Sequence, residues 1–201
     1  MILQAGKTRF KLSFSFIALI VLMILFYEEK IIVLSLISSF IHESGHLSFM
    51  YLFGDSVKSV ELTFFGMRID KNSSTNLSYK KDIIIALGGI IFNLAFAVVC
   101  YIIYAAYRLR CFLILSAVNL VIAAINSFPV SMLDTGKALR CCLLLHFSKE
   151  SADKVSDLIS LIFIIVFSAF SVLYFVFYNV NISLFAINIY LILITILKKR
   201  S

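Results

Sequence analysis

Charge is scarce in this sequence. Asp, Glu, Lys and Arg make up only 14% of its 201 residues, against 62% hydrophobic, and the mean hydropathy is +1.04. A soluble globular domain, where about 25% of residues are charged, is excluded. Proline is nearly missing: Pro129 is the single one, so proline can break the apolar segments at one place only. The four cysteines, Cys100, Cys111, Cys141 and Cys142, show no CxxC spacing, which gives neither a disulfide framework nor a cysteine metal site. A polar stretch of domain length is absent too. The longest, Gly54 to Asp82, has 29 residues, below the size at which a core sustains itself. The small-residue cleavage site of a signal peptide is also lacking, because the first apolar run leads into Phe26, Tyr27, Glu28 and Glu29.

What is present is a series of apolar runs, at about residues 12–27, 31–53, 83–106, 111–129, 157–178 and 182–197. Each is near the ~20 residues that cross a ~30 Å hydrocarbon core. The expected fold is therefore an all-α polytopic membrane protein of about six transmembrane helices, forming a single integral membrane domain over residues 1–201.

Basic residues set its orientation. Lys7, Arg9 and Lys11, then Lys58, Arg68, Lys71, Lys80 and Lys81, then Lys137, Arg140, Lys149 and Lys154, and finally Lys198, Lys199 and Arg200 fall in alternate connections. The other connections hold only Lys30, Arg108 and Arg110. By the positive-inside rule both termini, the connection 54–82 and the segment 130–156 face the cytoplasm. The net charge of +7 is thus topological. A nucleic-acid partner would need a basic patch, whereas these charges are dispersed as flanks of apolar spans.

The second span carries His42-Glu43-Ser44-Gly45-His46, an HExxH pattern. On a helix, residues i and i+4 share a face, so both imidazoles reach one ion, and Glu43 is placed beside a water on that ion. Metal lowers the pKa of such a water and a carboxylate takes its proton. Ionisable groups at the bilayer centre cost about 2.5 to 3.5 kcal/mol each unless they face a cavity or partner. Three of them within five residues need a common purpose. Catalytic zinc takes three protein ligands, and Asp134, Glu61 and His146 are the candidates for the third. Asp134 leads, with His146 as runner-up, because it follows a span broken by Pro129 and precedes Gly136, and irregular backbone at membrane depth is tolerated where it lines a cavity.

After the second span, Val60, Leu62 and Phe64 alternate with Glu61 and Thr63 before Phe65-Gly66. This predicts a short hairpin at the cytoplasmic interface, and an exposed edge at Val60, Leu62 and Phe64 would bind an unwound substrate by strand pairing. Gly88 and Gly89 suit close helix packing, and Asn93 and Asn119 are expected to form an interhelical hydrogen bond with no catalytic role.

HExxH in one span and Asn126-x-x-Pro129-x-x-x-Leu133-Asp134-x-Gly136 at the end of a later one resemble the site-2 protease family of intramembrane zinc metalloproteases. Thr135 stands where that family commonly has glycine. The stretch Leu87-Gly88-Gly89-Ile90-Ile91-Phe92-Asn93 resembles the family's glycine-containing span. The layout is similar to the compact bacterial branch that processes a sporulation sigma factor.

The resemblance implies a catalytic core at about 31–140, with accessory helices at about 157–197. It implies one zinc per chain on His42, His46 and Asp134, with Glu43 as general base and Asn126 contacting substrate or orienting a ligand. The implied activity is that of a metalloendopeptidase of the bacterial cell membrane, cutting a membrane-associated or membrane-spanning protein near the cytoplasmic side, as in regulated proteolysis of a transcription-factor precursor. The partners expected are the membrane, a protein substrate and a membrane-embedded regulatory protein. The competing reading, a transporter or metal-handling protein using the same histidines and aspartate, has no need of Glu43 as a base.

Overall fold

A computed structural model of the chain describes residues 2–5, 8–12, 29–55, 57–63, 66–71, 78–178, 187–193 and 195. Apolar composition, good helix formers and the lack of internal proline give four long or medium helices. These are α1 (Glu29–Leu52), α2 (Tyr79–Tyr107), α3 (Arg110–Asn126) and α5 (Lys149–Tyr178), with a short amphipathic α4 (Asp134–Leu143) before the last. Three are long and apolar enough to cross a membrane: α1, α2 and the part of α5 from Lys149 to Tyr174. They cover the second, third and fifth runs read from the sequence. Helix α3 has 17 residues and ends before Pro129. Of the first and sixth expected spans only Leu12, residues 187–193 and residue 195 are described, the last two helical.

The chain divides into two compact units, Met1–Ala124 and Ile125–Ser201. In the first, α1 packs along α2. Their buried faces are rich in small and polar residues, Ser38, His42, Gly45 and His46 on α1 and Ala86, Gly88, Gly89, Asn93 and Ala97 on α2, beside the apolar Ile32, Met50, Ile85 and Ile90. Large apolar side chains point outward, with Phe40 70%, Val98 59% and Ile102 61% exposed. This inverts the arrangement of a water-soluble domain and suits a helix pair solvated by lipid, where small residues let backbones approach and polar groups bond across the interface. Helix α2 ends on Arg108 in the left-handed conformation (φ 56°), whose N–H donates to Tyr104 O. Only Leu109 separates that residue from α3. Helix α3 is tied to both its predecessors, since Ser116 Oγ donates to Ala97 O (2.8 Å) and Asn119 Nδ2 donates to Ser38 Oγ (2.9 Å).

The first unit also holds a four-stranded sheet in the order β1 (Ile2–Ala5), β2 (Thr8–Leu12), β3 (Val57–Thr63), β4 (Gly66–Lys71). Strands β3 and β4 are antiparallel, with Leu62 opposite Met67 and Thr63 opposite Gly66. Strand β2 runs parallel to β3, pairing Phe10 with Val60 and Leu12 with Leu62. This topology corrects the expectation of an open edge at Val60, Leu62 and Phe64. Strand β3 is an inner strand, and Val60 and Leu62 have β2 on one side and β4 on the other. Phe64 lies outside the described residues.

In the second unit Val130, Leu133 and Leu191 form a core, packed by Phe128, Phe163 and Phe167. Arg140 Nε donates to Asp153 Oδ1 at 2.6 Å and links α4 to α5, and Ser168 Oγ donates to Asn188 Oδ1 at 2.8 Å.

Candidate metal centre

One helical turn separates His42 from His46 on α1, so the two rings lie together, edge to face with centroids 4.9 Å apart. Both are buried, at 7% and 9% exposure. Their Nε2 atoms are 3.3 Å apart. Two imidazoles bound at ~2.0–2.1 Å to a tetrahedral zinc would hold their nitrogens about 3.3 Å apart, so the pair has the spacing of two zinc ligands. Glu43, between them in sequence, is half-buried on the same turn.

Helix α2 supplies the surroundings of both rings. The main-chain carbonyl of Ile85 accepts from His46 Nδ1–H at 2.7 Å. That bond makes Nδ1 the protonated nitrogen of His46, and a main-chain carbonyl behind the ring is a support metal-ligating histidines ordinarily have. One turn on, Gly89 lies directly against the rings. A Cβ there would fall 2.5 Å from His42 Cε1 and 2.6 Å from His46 Nε2, so only glycine leaves room for two imidazoles. A further turn on, Asn93 is fully buried with Nδ2 3.3 Å from His42 Nδ1. This replaces the expected Asn93–Asn119 hydrogen bond, for Asn119 bonds instead to Ser38 Oγ and Leu115 O.

The second unit places the aspartate. The chain leaves α3 at Asn126, passes Pro129 without helical structure and re-enters a helix at Asp134. Val130 N–H donates to Phe128 O and Leu133 N–H to Val130 O, both at 2.8 Å, so the irregular segment satisfies part of its own backbone. Ser160 of α5 clamps it from outside. Its hydroxyl accepts from Ser131 N–H at 2.9 Å and lies 3.2 Å from Pro129 O and 2.8 Å from Ser156 O, to which it donates. Gly136 is required here, because a side chain at that position would occupy the place of the Val130 carbonyl. Asp134 itself begins α4, is 4% exposed and accepts from Lys137 Nζ at 3.0 Å. A carboxylate in the first turn of a helix is stabilised by the helix dipole.

Of the other candidate ligands, His146 is exposed on the turn after α4, with its Nδ1 3.4 Å from Cys142 O, and Glu61 lies in β3. Asn126 is half-buried at the last position of α3. Sequence reasoning named neither Ile85 nor Ser160, and read Gly89 and Asn93 as packing residues without placing them beside the histidines. A signal existed for three of them: positions 85, 89 and 93 recur at four-residue spacing, one face of a helix.

No protein-family model matches the sequence, and no curated protein sequence matches it. Among solved structures, the chain is similar to a site-2 protease from Methanocaldococcus jannaschii. The similarity has a TM-score of 0.63 at 19% sequence identity and covers 98% of this chain and 90% of that one. At that identity the likeness establishes a shared fold.

Proposed function

We propose that the protein is an intramembrane zinc metalloprotease, with His42, His46 and Asp134 holding one zinc ion and Glu43 serving as general base. The observation that carries the reading is the pair of buried imidazoles with Nε2 atoms 3.3 Å apart, on an HExxH helix, in a chain with the fold of a site-2 protease. All three proposed ligands are buried and are of the types that could hold a metal. Two imidazoles and one carboxylate form the donor set of catalytic zinc with one position left for water or substrate.

When bound, zinc acidifies water and polarises a carbonyl. The chain's own residues do the rest. Glu43 takes the proton from the attacking water and returns it to the leaving nitrogen. Ile85 holds His46 in the ligand tautomer. The irregular backbone from Ser127 to Leu133 carries the chain from α3 to Asp134 at the start of α4.

The substrate in this reading is a membrane-associated or membrane-spanning protein cut near the cytoplasmic side. Six spans follow from the lengths of the apolar runs, both termini in the cytoplasm from the distribution of lysine and arginine, and a bacterial cell membrane from the resemblance. A role in regulated proteolysis of a transcription-factor precursor follows from the resemblance to the sporulation branch, and a membrane-embedded regulator belongs to the same reading. Because β3 is flanked on both sides, a substrate strand would join the sheet at the outer edge of β4 or β1.

The test is zinc content of the detergent-purified parent beside His46→Ala, Asp134→Ala and Glu43→Gln. About one zinc per chain in the parent and the Glu43 variant, lost from the other two, supports the reading. Equal or absent metal in all four would sink it. Zinc held as stated, with proteolysis of single-span test substrates indifferent to Glu43→Gln, would point to metal transport instead.

A further inference from the structure

The five serines of α1 divide into two sets. Ser38, Ser44 and Ser48 each donate to a carbonyl of their own helix, Leu34 O at 2.9 Å, Ile41 O at 2.7 Å and Ser44 O at 2.7 Å. That is the ordinary way to satisfy a serine hydroxyl inside a helix. Ser35, half-buried, and Ser39, exposed, differ: their hydroxyls make no hydrogen bond among the described residues.

These two serines line a groove. With Leu113, Ala117, Val121 and Ile122 of α3 they bound a space of about 570 Å³, in the size range of ligand pockets. The α3 wall is wholly apolar, and the Asn119–Ser38 bond holds that wall beside α1. The groove continues the face of the imidazoles. Seven residues make nearly two helical turns, so Ser35 stands on the stripe of His42 and Ser39 on that of His46.

The groove's chemistry selects its occupant. An acyl chain offers nothing to a hydroxyl, and a regular helix spends its backbone groups on itself. A locally unwound peptide at membrane depth has N–H and C=O groups in need of partners. Its spacing fits as well. Ser35 and Ser39 are about 6 Å apart along α1, and an extended chain presents groups on one edge every two residues, about 6.6 Å. Small side chains at 35, 39 and 117 let a backbone come close.

We propose that this groove holds the substrate's membrane segment in an unwound form, with Ser35 and Ser39 bonding its backbone on the non-cytoplasmic side of the scissile bond. The proposal rests on the protease reading and on the orientation given above. Measured along α1 from midway between the imidazoles, Ser39 is about 7 Å and Ser35 about 13 Å away, at 1.5 Å per residue. An extended chain covers these distances in about two and four residues. The second and fourth residues from the scissile bond are therefore the ones held.

The experiment uses the full chain in detergent and synthetic single-span peptides of leucine and alanine interrupted at midspan by Asn-Gly, with cleavage sites read by mass spectrometry. Loss of a hydroxyl in Ser39→Ala should raise KM about 2- to 10-fold, leaving kcat and zinc content near parental, as for an interaction kept through the reaction. Ser39→Thr should recover part of this. Ser39→Leu, which fills the groove, should lower kcat/KM at least about 10-fold, whereas Ser48→Leu, off the groove, should not. For capture, Ser35→Cys, Ser39→Cys and Ile37→Cys are each built on Glu43→Gln without other cysteines, and each peptide carries one cysteine. Disulfides should form from position 39 to the second residue and from position 35 to the fourth, and none from Ile37→Cys, at the same depth outside the groove.

Parental kinetics in both Ser39→Ala and Ser39→Leu, or equal capture by Ile37→Cys and Ser39→Cys, would overturn the proposal. Capture recurring at every third or fourth peptide position would overturn it in favour of a helix docked intact. A zinc-loaded parent that cuts no peptide, with Ser39→Cys and Ser35→Cys capturing positions two apart, would remove the protease reading and leave the groove as a docking site for an extended peptide.

Discussion

Gly45 of α1 and Gly88 of α2 meet backbone to backbone, so that a Cβ on Gly88 would lie 2.8 Å from the Gly45 carbonyl oxygen. The contact adjoins both His46 and Gly89, and it brings α2 close enough for a main-chain carbonyl to reach an imidazole on α1.

Gly45→Ala should therefore push the helices apart, at a cost of about 1 to 3 kcal/mol as for other overpacked sites. Thermal unfolding in detergent measures this, with lipid-facing Val98→Ala as the neutral comparison.

Gly89→Ala acts more locally. Its methyl group would intrude on both imidazoles, and zinc affinity should drop at least about 10-fold while helical content by circular dichroism is retained. Parental affinity in this variant would contradict the placement of Gly89 against the rings.

For Glu43→Gln the two readouts should separate. Zinc content stays at the parental level, and the rate of proteolysis falls about 10²- to 10⁴-fold, the range for loss of a general base.

Ser160→Ala removes the acceptor of the buried Ser131 N–H. The expected loss of stability is about 1 to 3 kcal/mol, the cost of an orphaned buried donor, read from thermal unfolding. Ser160→Thr, which keeps the hydroxyl, should recover part of it.

Leu109→Cys and Ser148→Cys, each in a cysteine-free background, test the orientation. An impermeant thiol reagent should label position 109 from outside the cell and position 148 only after permeabilisation. Labelling of position 148 from outside and of 109 only after permeabilisation would reverse the assignment from lysine and arginine counts, and labelling of both from one side would contradict a crossing between them.

The proposed ligands could be named from the sequence because their pattern is local. HExxH is complete within one helical turn, and the break before Asp134 follows from Pro129 and Gly136 within a few residues. The helices α1, α2, α3 and α5 were legible from apolar length, whereas the short polar α4 was not, and Gly88 and Gly89 were read as packing residues, as their close contacts bear out. The strands β1 and β2 were not legible: β2 pairs with β3 about fifty positions away, which no short-range pattern encodes, and β1 joins the sheet only through β2. For the same reason Val60 and Leu62 looked like an edge: alternation shows a strand but not how many neighbours it has. Asn93 was misassigned because its partner depends on which face of α2 meets α1. Polar residues in two apolar helices offer several equivalent pairings until that face is known.

The unlike supports of the two histidines carry a consequence for sequence change. The partner of His46 is a peptide carbonyl, which every residue at position 85 would provide, so drift at that codon cannot abolish the contact directly. The partner of His42 is a single side chain. Mutational tolerance around the two rings should therefore be lopsided, permissive at 85 for apolar residues of similar size and narrow at 93. A saturation library scored at these two positions would show the imbalance without any knowledge of the substrate.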